Sequence, residues 1–587
     1  MTSNLRSRGG GSTQRRQLDP EERFQRRVTL GFIALTIVAV AVVVLGLLWQ
    51  YWDEHLKSVA TVDGTAISRD QWRDRANLED FRLEREDRWV TEAAAAGELT
   101  AAQADARHTE ISTARDDVTT TALDSLISLT LQNQLATGRG IAITDADVDA
   151  AMAQDAQKPE TRRVSVIEVA PESDANTGAT TGAQRQEALA NARAAQAALA
   201  AGTPFADVAK EYSTATDAAT GGDRGIVGRD DTTLDPALLQ AVFSVAEGED
   251  TPLLQDAAGT YLLAQVATVV PATDDASFTS DLEERISSGA YRDNVRLETL
   301  AQRLKDDVVA DATDGPKAQV HLAEIWLSGD TTAEDDSGRI HAAHILYSPD
   351  DDPSAASTVP ATDPSWTVAQ AQAGITAAEL LRITDTTTRS NAFTELAKQG
   401  DDSTSTSGGD LGWFSRDAMI PEFADPLFDN VATLQPGDIV GPVRSDYGWH
   451  VIQFLGYEPP VAERLTQLND ALAADGADFA AIAKERSDGA EGADGGDLGW
   501  RLVASLPAES ADAIAALEPG DVSAPIATTD GTADGYHVYK LIERADRPLD
   551  AAQTATVSST AFDDWFQPIL DTANEDGSIT TDESVSG

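Results

Sequence analysis

Residues 408–423 are GGDLGWFSRDAMIPEF, and residues 448–454 close the same segment with GWHVIQF. The first stretch combines a glycine turn, a short apolar strand and the start of a helix, whereas the second is typical of a strand. Its Gly-Gly-Asp triplet occurs three times, at Gly221, Gly408 and Gly495, each time after a helical segment with an F-x-x-x-A-K core. A pattern that recurs in the same order indicates a repeated structural unit.

A shared framework surrounds each triplet. The preceding helical cores are FADVAK from Phe205, FTELAK from Phe393 and FAAIAK from Phe479. Each triplet is followed by a Pro-Gly or Glu-Gly turn, an apolar strand, a glycine and a closing strand. In the last two copies the closing strand carries a histidine, His450 or His537, 42 residues after the first glycine of the triplet. The sequence therefore predicts three copies of one α/β unit.

The second copy, residues 339–457, matches a known family most fully. It begins with RIHAAHILYS at 339–348 and continues through the two stretches quoted above. These motifs, in this order, resemble the parvulin (rotamase) type of peptidyl-prolyl cis-trans isomerase. The resemblance implies a small antiparallel sheet wrapped by helices, with His344 and His450 as neighbours at its centre.

The same resemblance implies the remaining site residues. Asp402 would lie beside the substrate carbonyl, although this loop is shorter than in parvulins and Asp401 stays an alternative. The pocket for the proline ring would be formed by Leu411, Met419, Phe423 and Phe428. For each aromatic residue the alternative is plain packing in the core, and that alternative is favoured for Phe428.

The first copy, residues 160–270, departs from this pattern at every site position. Val166 and Leu262 stand where the two histidines should be, Ala215 replaces the acid, and Arg224 replaces the pocket leucine. We expect this copy to be catalytically silent and to hold peptides or act as a spacer.

The third copy keeps GGDLGW and His537 but has RLVASLPAE in place of the pocket Met and Phe, and it lacks an opening strand of its own. A candidate strand lies upstream at 317–329, with Glu324 at the histidine position. We therefore predict that 317–329 and 458–545 form one degenerate unit into which 339–457 is inserted, as surface loops with nearby ends permit. The alternative is that 317–329 is only a linker strand.

A helical domain is predicted for residues 59–157. Residues 126–151, LISLTLQNQLATGRGIAITDADVDAA, join an amphipathic helix to a glycine turn and a new helix start. This stretch resembles the N-terminal chaperone domain of SurA-like and PrsA-like foldases, and a later helical segment at 274–313 would pack back on it. Any other small helical domain is the alternative.

One membrane span is predicted at residues 28–50. No charged residue occurs from Val28 to Leu48, and 21 residues at about 1.5 Å each match a hydrocarbon core of about 30 Å. Aromatic residues follow the span and seven arginines precede it, so residues 1–27 are expected to be disordered and cytoplasmic, with the bulk of the chain outside the cell membrane. A cleaved signal peptide is the alternative.

Composition narrows the function further. The formal net charge is −54 and there are no cysteines, which argues against nucleic-acid partners and excludes disulfides, thiolate metal sites and cysteine nucleophiles. The charge fits a salt-adapted surface as well as attraction of basic clients. The sequence contains neither a G-x-S-x-G elbow nor an H-E-x-x-H metal motif. We therefore expect no metal and no cofactor.

These observations predict an α+β chain that isomerises X-Pro bonds in unfolded or newly exported polypeptides and assists their folding. Such catalysis only has to favour a twisted amide over its planar forms, so it needs no nucleophile. The alternative is a non-catalytic holdase that uses parvulin folds to bind peptides. Whether the helical domain mediates a dimer stays open, and residues 551–587 are expected to be a mobile acidic tail.

Overall fold

The computed structural model describes residues 20–52, 57–173, 180, 182–329, 338–528 and 535–582, with side chains omitted at 20–31, 33 and 34. The helices are α1 Pro20–Tyr51, α2 Arg69–Ala96, α3 Ala101–Asp116, α4 Val118–Gly138, α5 Asp145–Asp155, α6 Gly182–Ala200, α7 Phe205–Tyr212, α8 Pro236–Val242, α9 Phe278–Glu283, α10 Ser288–Thr313, α11 Pro364–Arg382, α12 Thr386–Ala397, α13 Pro421–Phe428, α14 Val461–Leu472, α15 Phe479–Arg486, α16 Ala508–Ala515 and α17 Ala551–Glu575. The strands are β1 Ser58–Val62, β2 Thr65–Ser68, β3 Gln157–Lys158, β4 Thr161–Val169, β5 Asp223–Val227, β6 Leu254–Gln255, β7 Tyr261–Val270, β8 Thr273–Asp274, β9 Lys317–Ser328, β10 Arg339–Tyr347, β11 Asp410–Ser415, β12 Ile439–Arg444, β13 Trp449–Glu458, β14 Asp497–Leu502, β15 Ile526–Thr528, β16 Gly535–Arg547 and β17 Ile579–Thr581.

The chain divides into two compact units. The first contains the residues up to Pro159, Ala272–Val308 and the residues from Phe562 onward, and the second contains Glu160–Pro271 and Val309–Ala561. Each unit is therefore assembled from segments that are distant in the sequence.

The first unit starts with a hairpin and continues with helices. Asp63 and Gly64 have φ angles of 44° and 78°, which form the tight turn between β1 and β2. Ser68 caps α2 in a capping box with Gln71. The core joins α2 and α5 to the later segment 274–313 through Leu78, Phe81, Val148, Phe278, Leu282, Ile286, Tyr291 and Val295. Within this unit the late helices pack on the helical domain, as expected from the sequence.

The second unit contains three four-stranded antiparallel sheets of identical topology. Their strand orders are β5-β4-β7-β6, β11-β10-β13-β12 and β14-β9-β16-β15. In each sheet the opening strand lies between the strand that follows Gly-Gly-Asp and the closing strand. The three repeats in the sequence are thus three copies of one sheet.

One backbone contact gives the copies a common register. The N–H groups of Val166, His344 and Glu324 each donate at 2.8 Å to the carbonyl of the second glycine in the triplet of their own copy. A Cβ on that glycine would lie 2.0 to 2.1 Å from a carbonyl oxygen of the opening strand, and its φ is positive in all three copies. Only glycine fits at this crossing, so the second residue of the triplet is required by the fold.

The third sheet is built from two separated segments. β9 pairs with β14 on one side and with β16 on the other, along its whole length on the β16 side. β10 to β13 lie between β9 and β14 in the chain and form a sheet of their own. Residues 317–329 are therefore an integral strand of the third sheet and not only a linker strand. The second copy lies in the connection between β9 and α14, as a domain inserted in a loop.

The expectation of a mobile tail at 551–587 is wrong for the described residues up to 582. α17 occupies most of this segment, and β17 pairs with β1 through Ile579, Thr580 and Thr581. Phe562 and Phe566, one turn apart on α17, are 7% and 5% exposed and stack at 5.4 Å. The many acidic residues of this segment made the apolar face of α17, which buries these two rings, hard to recognise in the sequence.

The N-terminal helix begins before the predicted span. α1 starts at Pro20, so residues 20–27 are helical, whereas residues 1–19 lie outside the described residues. Searched over the described residues alone, the structure contains no helix long and apolar enough to cross a membrane. The transmembrane helix expected at 28–50 is not confirmed, and its residues 28–31, 33 and 34 have no described side chains.

The C-terminal helix supplies a stability prediction. Replacing Phe562 and Phe566 by Ala should destabilise this end by about 3 kcal/mol or more for each ring, because each substitution leaves a cavity. Hydrogen exchange followed by mass spectrometry should then show loss of protection in β17, roughly a hundredfold for the single Phe566→Ala change. The matched control, Asp563→Ala with Asp564→Ala on the exposed side, should leave exchange unchanged. Equal exchange in all variants would contradict this packing.

Candidate functional site

The second copy brings its two histidines together at the centre of its sheet. His344 lies on β10 and His450 on β13, and the Nδ1 atoms of the two rings are 3.0 Å apart. The rings stack with centroids separated by 5.3 Å, and the residues are only 6% and 4% exposed. The predicted pair is therefore a direct, buried hydrogen-bonded contact.

A serine that sequence reasoning missed completes one end of this pair. Ser445 Oγ lies 2.7 Å from Nε2 of His450, and it accepts a hydrogen bond from the Tyr447 N–H at 3.1 Å. The hairpin between β12 and β13 folds Ser445 back beside the histidine. The signal was the short turn SDYG before the closing strand, but a hydroxyl in a turn is too common to be singled out.

The acid at the other end is Asp402. Its Oδ1 lies 3.1 Å from Nε2 of His344, and it also accepts hydrogen bonds from the N–H and hydroxyl of Thr404 at 2.7 and 2.6 Å. Asp401 instead accepts the N–H of Ser348 at 2.6 Å, away from the imidazoles. Of the two aspartates left open by the sequence, Asp402 faces the histidine pair and Asp401 fixes the loop.

Electrostatic interactions determine the charge of Asp402 and of His450. Burial opposes ionisation of Asp402, but His344 and Thr404 outweigh it and hold the pKa of this carboxyl well below its usual range. Burial, followed by repulsion from His344, lowers the pKa of His450 to about 3, so this ring is neutral at pH 7. The acid end is thus an anion and the ring at the serine end is uncharged.

The neutral state limits what His450 can donate. A neutral imidazole has one N–H and one acceptor nitrogen, so His450 donates one of its two contacts, to His344 or to Ser445, and accepts the other. On the far side of the pair, Nε2 of His344 is buried and lies 3.1 Å from Oδ1 of Asp402. The four side chains therefore form one continuous row of polar contacts.

An apolar wall stands beside the pair. The Phe423 ring meets both imidazoles edge-on, with centroid distances of 5.7 Å to His344 and 5.3 Å to His450. Leu411 and Met419 are half-buried and pack on the same cluster. These three side chains can contact a small apolar ring held next to the imidazoles.

Phe428 occupies a different place. It is 6% exposed, its ring lies 6.3 Å from that of Phe414, and the guanidinium of Arg416 covers it. These contacts fit the core-packing alternative, so Phe428 supports the wall and does not line it.

The first copy has a charged network where the second has a histidine pair. Arg224, at the sequence position of the pocket leucine, reaches Glu168 and Asp217 at 2.6 Å each. Val166 and Leu262, at the histidine positions, are fully buried or nearly so. This copy retains the frame without the imidazoles.

The third copy has an acid–histidine pair. His537 Nδ1 lies 2.7 Å from Oε1 of Glu324, and the histidine ring stacks on Trp326 at 5.8 Å. Gly489 precedes the short helical turn at the place of Asp402, so the third copy has no acid there. Only one of the three described sites therefore has two histidines and an acid.

Matches to known domain families fall on the three copies and on the N-terminal domain. The PPIC-type PPIASE domain matches residues 169–265 and 458–543, a second form of the same domain matches residues 327–457, and the SurA-like N-terminal domain matches residues 22–160. The chain therefore contains PPIC-type parvulin domains together with a SurA-like N-terminal domain.

Similar whole proteins include SurA chaperones, which match about half of this chain. Chaperone SurA of Chromohalobacter salexigens is 29% identical over 338 residues, which are 50% of this chain and 71% of that protein. Chaperone SurA of Nitrosospira multiformis is 26% identical over 331 residues, 50% of this chain and 68% of that protein. A crystal structure of PrsA from Bacillus subtilis is 18% identical, covers 43% of this chain and 92% of that chain, and gives a TM-score of 0.15.

The depressed pKa of His450 leads to a spectroscopic prediction. Its ring resonances should stay those of a neutral imidazole between pH 8 and 5, as observed by NMR with His450→Gln for assignment. In the unfolded chain a histidine binds its proton near pH 6.5, so the stability that this group contributes is present above that pH and is lost as the pH falls towards 3. Titration of His450 near pH 6.5 in the folded protein would contradict its burial as a neutral ring.

Proposed function

We propose that the second parvulin copy is a peptidyl-prolyl cis-trans isomerase and that the chain as a whole is a foldase for exported polypeptides. The supporting observation is a row of four side chains in contact with one another, Ser445, His450, His344 and Asp402, beside the Phe423 ring. The first and third copies have the same sheet but lack this row of side chains.

Isomerisation of an X-Pro bond requires only that the site bind the twisted amide better than the planar forms. The barrier to X-Pro rotation is about 20 kcal/mol because the planar amide is stabilised by resonance, which the twisted state loses. Phe423, Leu411 and Met419 hold the ring while the preceding carbonyl rotates past His344. The contact between His344 and Asp402 shapes the electric field around that oxygen as it turns. Contacts that are best at the twisted geometry lower the barrier.

Chaperone activity without catalysis is the second candidate, and the first copy favours it. A cleft of about 390 Å³ in that copy is lined by Glu168, Thr232, Thr233, Leu234, Asp235, Leu238, Asp256, Thr260 and Leu262. The cleft combines leucines with carboxylates and hydroxyls, which suits an extended peptide of mixed polarity. Holding a client there would raise its concentration near the second copy.

The isomerase proposal predicts a selective loss of activity. The full chain should accelerate cis–trans exchange of a proline tetrapeptide, measured by NMR exchange spectroscopy. His450→Ala or Asp402→Ala should lower kcat/KM at least about tenfold, the equivalent of one lost transition-state hydrogen bond.

The matched control is His537→Ala, which removes a histidine from the same strand position of the third copy. We expect it to retain the activity of the unaltered chain. Absence of acceleration by that chain, combined with suppression of client aggregation, would overturn the isomerase assignment in favour of the holdase.

Anchoring in the cytoplasmic membrane, with the parvulin copies outside, is part of the same proposal. It rests on the uncharged stretch 28–48 and the arginines before it. The full chain expressed in bacterial cells should stay in the pellet after alkaline carbonate extraction, and deletion of 28–48 should release it. Externally added protease should degrade the parvulin copies in spheroplasts. Release of the full chain by carbonate would contradict the anchor.

A further inference from the structure

The row of polar side chains in the second copy closes into a ring of contacts. At one end of the row, Ser445 Oγ accepts the N–H of Tyr447 at 3.1 Å. The carbonyl of Tyr447 accepts the hydroxyl of Ser348 at 2.9 Å, and the N–H of Ser348 donates to Asp401 at 2.6 Å. Asp401 precedes Asp402 in the chain, so this path returns to the acid at the other end of the row.

Ser348 is the link that joins three segments of the chain in this ring. It follows β10, which carries His344, whereas Asp401 belongs to the acid loop and Tyr447 to the hairpin before β13. The N–H of Asp401 also donates to the carbonyl of Leu346 at 3.0 Å, which fastens the acid loop to β10. Ser348 is 2% exposed, so removal of its hydroxyl would leave the hairpin carbonyl without this donor in a place that water reaches poorly.

The other two copies lack this link at the matching position. The residue four positions after the crossing with the triplet is Ser348 in the second copy, Ala170 in the first and Ser328 in the third. Ala170 has no hydroxyl. Ser328 donates both its N–H and its hydroxyl to the Asp488 carboxylate, at 2.9 Å each. Since a hydroxyl has one proton to donate, Ser328 holds only its own loop, and of these three described residues Ser348 alone joins the loop to the hairpin.

We propose that Ser348 is a positioning residue of the isomerase site, whose hydroxyl holds the hairpin so that Ser445 stays in contact with His450. The inference rests on the proposed isomerase activity and adds to it a residue that acts through Ser445. Polar groups that are already in place favour a transition state because they need not reorganise as the amide twists. A hairpin released from Ser348 would lose that advantage.

The test is a double-mutant cycle with Ser348→Ala and Ser445→Ala in the full chain, with kcat and KM measured by NMR exchange spectroscopy of a proline tetrapeptide. Each single change should lower kcat roughly tenfold and alter KM less than about twofold, because the contact serves the twisted amide and not the binding of the peptide. If Ser348 acts through Ser445, the double variant should be no slower than Ser445→Ala alone. Losses that multiply to about a hundredfold would overturn the proposal.

A second readout does not depend on turnover. In ¹⁵N NMR spectra, Ser348→Ala should shift the Nε2 resonance of His450 in the same direction as Ser445→Ala does, because the 2.7 Å contact with the Ser445 hydroxyl is weakened. A ring that resonates in Ser348→Ala as it does in the unaltered chain would contradict the positioning role.

Two further variants separate the hydroxyl from the packing of the side chain. Ser348→Thr keeps the hydroxyl on an extended backbone, with φ −101° and ψ 151°, that suits a β-branched residue, and it should retain most of the activity. A threonine variant as slow as the alanine variant would overturn the proposal. If Ser348→Ala does not fold, the cycle is run with Ser348→Cys, whose thiol is only a weak donor.

The matched control is Ser328→Ala, the same change at the same position of the third copy, and it should keep the activity of the unaltered chain. The outcomes distinguish the two proposals. A Ser348→Ala variant as active as Ser328→Ala would remove Ser348 from the site and leave the isomerase intact. Absence of acceleration by the unaltered chain would overturn the isomerase proposal, and the positioning role with it.

Discussion

The close crossing between the opening strand and the Gly-Gly-Asp triplet is the constraint on which each parvulin copy depends. A backbone N–H of the strand reaches the carbonyl of the second glycine at 2.8 Å, at His344 in the second copy and at Val166 and Glu324 in the others. Since a Cβ on that glycine would overlap the strand carbonyl, this position must stay glycine while the crossing exists. The loop before the triplet is thereby held against the strand, which places Asp402 beside His344.

The crossing fixes the backbone but leaves the chemistry of each centre to a few side chains. At the same positions the second copy has two imidazoles, the third has Glu324 with His537, and the first has Val166 with Leu262. Buried polar groups need partners, and the second and third copies provide them in different ways, whereas the first copy has apolar side chains at these positions. In the second copy neutralisation of His450 avoids the cost of a buried charge, while Asp402 keeps its charge through Thr404 and His344.

The framework could be predicted from the sequence because its signals are backbone requirements. The fold imposes the Gly-Gly-Asp triplets, the fixed spacing to the closing strand and the alternating pattern of the strands. The three sheets and the pairing of His344 with His450 could therefore be predicted. The choice between Asp401 and Asp402 was not, since either carboxylate satisfies the same loop and only the register of the short helical turn decides. Ser445 was missed for a related reason, as a hydroxyl becomes informative only when its partner is known. In α17 the acidic residues masked the helical spacing of Phe562 and Phe566.

In the third copy, the loop that corresponds to the Asp402 loop contacts the first copy. Within the second unit, Arg185 of α6 donates to the Asp488 carbonyl at 2.8 Å and covers the Trp326 ring at 4.3 Å. Gln186 donates to the carbonyls of Ser487 and Gly489 at 3.1 and 3.2 Å. The loop that presents Asp402 in the second copy is therefore used in the third to dock the first. A loop held by a neighbouring helix is a poor place to admit a peptide. The third copy thus contributes attachment for the first, and the inserted copy keeps the loop for its own site.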